Sequence, residues 1–355
     1  MSSMYGEKVR LSLFGQSHGE MIGCVLDGLP AGETIDENAL AEFLRRRAPG
    51  GPYASPRKES DTPRIVSGLY ESKTCGAPLC VLIENTDTRS KDYEALRDLP
   101  RPGHADYPAQ VRYQGFQDFR GGGHFSARVT AALCAAGGIL LQILEGRGIR
   151  IGAHLLKVGD VEDERYDPLN VSPEALLKTK VGFPTIRQTA EEQMKAVIDA
   201  VRQDKDSIGG IVECAILGLP VGLGEPMFNG VENAIAQTVF AIPAVKGIEF
   251  GDGFAAAAMR GSQHNDPYAW KDGTPKPQSN HAGGILGGLT DGAPVIFRTA
   301  FKPTPSIARP QQTVSLSGER NAVLEITGRH DPCVAVRAVP VVEAAAALAI
   351  AQFAL

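Results

Sequence analysis

Two stretches of the chain are apolar on nearly every helical face: the run from Ala127 to Leu144, and the Ala-rich run from about Val339 to Phe353. A surface helix shows one apolar stripe, whereas a helix without a polar face has to be covered on all sides. The sequence therefore predicts two helices packed in the middle of the molecule. Their small residues allow the axes to approach closely. Gln142, Gly137 and Gly138 interrupt the first run, and alanine is only weakly hydrophobic, so both are expected as buried helices and not as membrane spans.

The first of these helices follows three glycines, in Arg120-Gly-Gly-Gly-His-Phe-Ser126. Glycine admits left-handed backbone and lets a ligand come close. Ser126 is placed to cap the helix, whose N-terminus offers free N–H groups and partial positive charge. With Arg120 and Arg128 at its edges, this is expected to be an anion site at the tip of a core helix.

Composition bounds what such a site serves. The 355 residues suffice for one large domain or two ordinary ones with a sizeable core. A net charge of −5 argues against nucleic acid or an anionic membrane as the main partner. The first eight residues lack the apolar segment of a secretory signal. Cys24, Cys75, Cys80, Cys134, Cys214 and Cys333 show no metal-ligand spacing and sit mostly in apolar runs, so they read as reduced thiols of a cytoplasmic protein, with no metal expected.

Strands are expected at Val9–Phe14, Met21–Leu26, Arg64–Tyr70, Ala77–Glu84, Arg150–Lys157, Ile208–Leu217 and Pro294–Ala300. Helices are expected at Asp36–Arg47, Thr189–Arg202 and Val231–Phe240. Gly247–Arg260, Gly261–Gly288, Pro303–Arg309, residues 49–61 and Asn85–Phe119 read mostly as loop. A loop as long as the last, with Arg101-Pro-Gly-His-Ala-Asp-Tyr107 inside it, is expected to be functional. Cys24-Val-Leu-Asp-Gly-Leu-Pro-Ala-Gly32 echoes Cys214-Ala-Ile-Leu-Gly-Leu-Pro-Val-Gly222. This suggests one domain over 1–355 with two similar halves, about 9–145 and 208–355.

Several residues suit chemistry, each with a plainer alternative. His18, on a turn, suits proton transfer near neutral pH or is simply exposed. His104, between Arg101 and Asp106, suits protonation of a departing phosphate oxygen or forms an ordinary loop ion pair. Asp331, near Arg329 and His330, is a positioned base or a structural ion pair. Arg45, Arg46 and Arg47 bind an acidic substrate or face water at a helix end. Lys302-Pro-Thr-Pro-Ser306 offers an ammonium and hydroxyls to a phosphate. There is no P-loop, and the letters Gly15-Gln-Ser-His-Gly19 lack the strand-turn-helix setting of a hydrolase nucleophile.

Taken in order, Gly15-Gln-Ser-His-Gly-Glu-Met-Ile-Gly-Cys24, Arg101-Pro-Gly-His-Ala-Asp106, Gly121-Gly-Gly-His-Phe-Ser-Ala-Arg128, Gly251-Asp-Gly-Phe254, Ser279-Asn-His-Ala-Gly-Gly284 and Arg329-His-Asp-Pro-Cys333 resemble the chorismate synthase family over nearly the whole chain. The resemblance implies an α+β, β-α-β sandwich with central helices between two antiparallel sheets. It implies anti-1,4-elimination of phosphate from 5-enolpyruvylshikimate 3-phosphate, giving chorismate. Reduced FMN would be required, with NADPH as a reductant for it, and the assembly would be a homotetramer. His18 would protonate the flavin, His104 the leaving phosphate, and Asp331 would help the C6 proton depart. Arg46, Arg101 and Arg128 would hold the substrate or NADPH. His124, Phe125, Ser126, Pro243, Ala244, Gly287, Lys302, Pro303, Thr304, Pro305, Ser306 and Arg329 would contact FMN. The chain departs from the family's usual pattern at His124-Phe125, Pro243 and Pro52, with Arg57 or Lys58 placed to restore charge near the last. Two rival readings keep the fold and change the activity: a non-catalytic flavin- or phosphate-binding protein, and a flavin-independent phosphate lyase.

Overall fold

The computed structural model describes residues 3–50, 53, 59–86, 96–326 and 330–355. Pro52, Arg57, Lys58 and Arg329 lie outside the described residues. The helices are α1 (Glu37–Arg47), α2 (Asp106–Arg112), α3 (Thr130–Gly146), α4 (Pro173–Lys178), α5 (Gln188–Gln203), α6 (Val231–Phe240), α7 (Gly261–His264) and α8 (Ala335–Ala354).

Two five-stranded antiparallel sheets frame the central helices. The first runs Met4–Tyr5, Arg10–Gly15, Met21–Asp27, Leu79–Glu84, Arg64–Ser67 across its width. The second runs Val245–Phe250, Val295–Phe301, Gly210–Leu217, Arg150–Val158, Val161–Glu162. Between them lie α3, packed on the first sheet, and α8, packed on the second, in contact with each other along their length. This is the α+β sandwich expected.

The two apolar helices are 20-residue stretches of mean hydropathy 1.7 and 1.5, long enough to cross a membrane, yet each is 78% buried inside the protein. Their small residues matter most at one point. A Cβ on Gly137 would collide with Ala344 of α8, so the two backbones meet there without a side chain between them. On the other side of α3, Leu40 and Phe43 of α1 pack onto Gly138.

Four expectations need correcting. Gly247–Phe250, the start of a stretch read mostly as loop, belongs to Val245–Phe250, an edge strand of the second sheet. Gly247 and a register shift between it and Val245 interrupt its alternation. The last helix starts at Ala335, not Val339; Pro340 suggests a first helical position but lies inside the helix. Arg64–Tyr70 divides, because Leu69–Tyr70 pairs with Lys73–Thr74 in a separate hairpin. Part of the long 85–119 stretch is helical, as α2.

All six cysteines are unpaired. Burial pushes the Cys24 and Cys134 thiols up to about 12, which makes them poor nucleophiles. Cys75 is the exception to core placement, being exposed.

Candidate active site

The three glycines before α3 all have left-handed backbone, with φ of 60°, 85° and 55° at Gly121, Gly122 and Gly123. That conformation brings the loop hard against two histidines. A side chain on Gly121 would collide with the His18 imidazole and Ser17 Oγ. One on Gly122 would stand 3.0 Å from the His104 ring. The Ser126 side chain accepts from Arg128 N at 3.3 Å, capping a 3-10 turn, Ala127–Val129, that leads into α3.

A cleft of about 520 Å³ opens beside this loop. Arg47, Arg101, His104, Gly121, Arg128, Lys302, Asp331 and Arg337 line it, together with His124, Phe125, Ser126, Pro243, Ala244, Thr304, Pro305 and Ser306. An adjoining, more apolar cavity of about 500 Å³ shares His124, Ser126 and Pro243 with it. Either volume alone is in the range of a small-molecule site, so there is room for two ligands in contact.

Arg101, His104 and Asp106 form a closed group. Asp106 receives Arg101 through both oxygens, at 2.7 and 2.8 Å, and lies 2.6 Å from His104 Nδ1. Burial by itself would raise the Asp106 pKa, but these donors outweigh it and hold the carboxyl well below the usual range. Because an ionised carboxylate only accepts, His104 Nδ1 donates, which leaves Nε2 as the atom that can exchange protons with a ligand. Arg101 NH1 also donates to Ser306 Oγ at 3.1 Å, fastening the 302–306 loop to this group.

Arg47 and Arg128 close on Asp61 from two sides. Arg47 NH1 lies 2.5 Å from Asp61 Oδ2, and Arg128 NH1 pairs with Oδ1. Burial would raise Asp61 too, and the two guanidiniums overrule it, keeping its pKa below the ordinary value. Arg128 Nε also pairs with Glu59 at 2.9 Å. Two cations are thus held rigidly at the cleft wall, each with donors already oriented.

The expected residues do not all arrive here. His18 is buried behind Gly121 and does not line the cleft. Arg46, expected to hold the substrate or NADPH, does not line this cleft. It turns away from the cleft to make a two-point pair with Glu343, at 2.5 and 2.8 Å, on the far side of α1. Arg47, its neighbour, lines the cleft. Gly287 sits in a hairpin turn beside the N-terminal end of α6, where Val231 N donates to Gly288 O, while Phe240 and Ala241 at the other end of that helix meet the cleft. Ten residues of helix separate the two, roughly 15 Å. Pro303 is exposed and outside the lining. Arg329 lies outside the described residues. Asp61, Glu59 and Arg337 carry no role in the sequence reading; Arg47 is named there with Arg45 and Arg46, and the i, i+4, i+7 stripe through Leu40, Leu44 and Arg47 separates it from them.

A profile of the chorismate synthase family matches residues 9–355. A chorismate synthase of Lancefieldella parvula is 45% identical over 99% of this chain and 95% of its own length. One of Thermococcus kodakarensis is 44% identical over 98% of this chain and 96% of its own. Among solved structures, a crystal structure of chorismate synthase superposes with a TM-score of 0.78 at 29% identity, covering 98% of this chain and 92% of that one.

Proposed function

The chain belongs to the chorismate synthase family, and on that premise we propose that the arginine-lined cleft is where substrate and cofactor meet. The enzyme is a lyase of the shikimate pathway that eliminates phosphate from 5-enolpyruvylshikimate 3-phosphate to give chorismate. The family's reaction depends on a reduced flavin, although substrate and product are at the same oxidation level.

The flavin is FMN in this reading, held by His124, Phe125 and Ser126, by Pro243 and Ala244, and by Lys302, Thr304, Pro305 and Ser306. Their placement on one cleft supports it. So does Thr304 Oγ1, a buried hydroxyl that lacks a hydrogen-bond partner among the described residues. Lys302 contributes the positive charge a phosphate needs. When bound, the reduced flavin supplies electron density transiently as phosphate leaves.

The residues of the chain supply position, charge and protons. Arg47, Arg101 and Arg128 clamp the substrate's phosphate and carboxylates; charge fixed in advance around a departing anion is usually the largest catalytic contribution. His104, oriented by Asp106, gives its proton to the leaving phosphate. Asp331 helps the C6 proton depart. His18, packed behind the Gly121 loop, is the proton donor to the flavin in this reading. NADPH as reductant, a homotetramer, a cytoplasmic location and a single domain of two similar halves complete the proposal. Cys24 and Cys214 support the last point, each fully buried on the third strand of its own five-stranded sheet.

The observation that carries this reading is the meeting of His104, Asp331, Arg47, Arg101 and Arg128 on one cleft beneath the glycine loop. Anaerobic assay of phosphate release, with and without reduced FMN, tests it. Release only with reduced FMN is expected. Turnover without flavin would mean the flavin-independent lyase, and flavin binding without turnover a binding protein.

A further inference from the structure

Arg337 stands where local energetics disfavour a cation. It lies in the first turn of α8, the partially positive end of that helix. Its burial and the nearby Arg47 both push its pKa below the ordinary arginine value, and Asp331 is the main group opposing them. A residue kept against its surroundings points to a role in the site.

The geometry shows what that role is. Arg337 NH1 lies 2.7 Å from Asp331 Oδ2, and Arg337 Nε donates to the Arg47 carbonyl at 2.9 Å. One planar side chain therefore ties the carboxylate ahead of α8 to the last residue of α1. All three residues line the cleft. We propose that Arg337 is a positioning residue for Asp331, holding its carboxylate at a set distance and angle from Arg47 so that it faces the proton lost in the elimination. This rests on the reading of Asp331 as the group that assists that proton. A lysine would keep the charge but lack the fork, since one nitrogen cannot serve both partners in the guanidinium plane.

The test is steady-state kinetics with saturating reduced FMN on Arg337→Met, Arg337→Lys, Asp331→Asn and the Met/Asn double variant. Arg337→Met is expected to lower kcat about 100-fold, the usual cost of a misplaced reacting group, with KM for the substrate changed by less than about threefold. In the Asp331→Asn background the same substitution is expected to cost almost nothing further, because the group it positions is already gone. Losses that multiply, or a KM that rises as kcat falls, would overturn the inference, the second by making Arg337 a substrate-binding group. Should the Met variant fail to fold, Arg337→Lys decides: lowered kcat at constant KM supports positioning, and wild-type kcat refutes it. A fully active Asp331→Asn would instead remove Asp331 from the proton path, and the positioning role with it.

Discussion

Among the described residues Asp61 is the one carboxylate on which two cleft arginines close, and Asp61→Asn isolates what its charge contributes. The side chain is fully buried, and its partners Arg47 and Arg128 are 4% and 3% exposed. Neutralising one member of a buried ionic group leaves the other charges uncompensated, at a cost of about 3–5 kcal/mol. Asparagine retains the shape and one acceptor oxygen, which places the expected loss near the lower end, about 3 kcal/mol. Backbone strain does not confuse the result: Asp61 has φ of 49°, a left-handed conformation that Asn adopts as readily. The sign with pH is fixed by the lowered pKa of Asp61. Its contribution is complete above the unfolded carboxylate value of about 4 and disappears as pH falls through the still lower folded value. Urea denaturation at pH 7 should therefore show the full difference between wild type and variant, and the difference should shrink in acid. Inorganic phosphate should recover more stability in the variant than in the wild type, because Arg47 then loses the carboxylate it pairs with and Arg128 keeps only Glu59. Equal stability at pH 7, or a gap that widens toward acid, would refute the reasoning.

Three other outcomes follow from the same geometry. His104→Ala should lower kcat by about 10²–10⁴, the scale of general acid catalysis, with little change in substrate affinity; unchanged turnover would remove His104 from the mechanism. Arg46→Met should destabilise the fold by about 3–5 kcal/mol by stranding the fully buried Glu343, with normal turnover per folded molecule, whereas Arg47→Met should abolish phosphate release; the reverse pattern would restore Arg46 to the site. His154 is buried between Glu213, 3.0 Å from Nε2, and Asp163, 3.6 Å from Nδ1. Burial works against its charge, but the two carboxylates raise its pKa above the ordinary value. Its stabilisation should be complete below about pH 6.5 and fade as pH rises through the folded value, and His154→Gln should flatten that slope in thermal melts. A slope that persists in the variant would assign it to another group.

The two apolar runs told most about the architecture, because a helix without a polar face has few places to go. The glycine triplet marked the site for a similar reason: three consecutive left-handed residues have little use except to let something come close. What escaped was set by tertiary contacts. Three consecutive arginines at the end of α1 point about 100° apart around the helix, so one meets solvent, one meets Glu343 and one meets the cleft. Residue type alone does not separate them; the stripe through Leu40 and Leu44 does. Asp61 and Arg337 were invisible because Arg128 and the Arg47 carbonyl, which they meet, lie far along the chain, and Val245–Phe250 because Gly247 and the register shift beside it break the alternation.

The contact between Gly137 and Ala344 reaches beyond the core. Arg128 lies nine residues before Gly137, and Arg337 seven before Ala344, so the crossing of α3 and α8 governs how far apart their leading ends stand. An added methyl group at that crossing would spread the helices and widen the gap between the phosphate clamp and the carboxylate. Gly137 and Ala344 do not line the cleft, yet the closeness of their contact sets the spacing of two helices whose leading ends do, so the bulk of side chains deep in the protein's middle bears on the cleft's width.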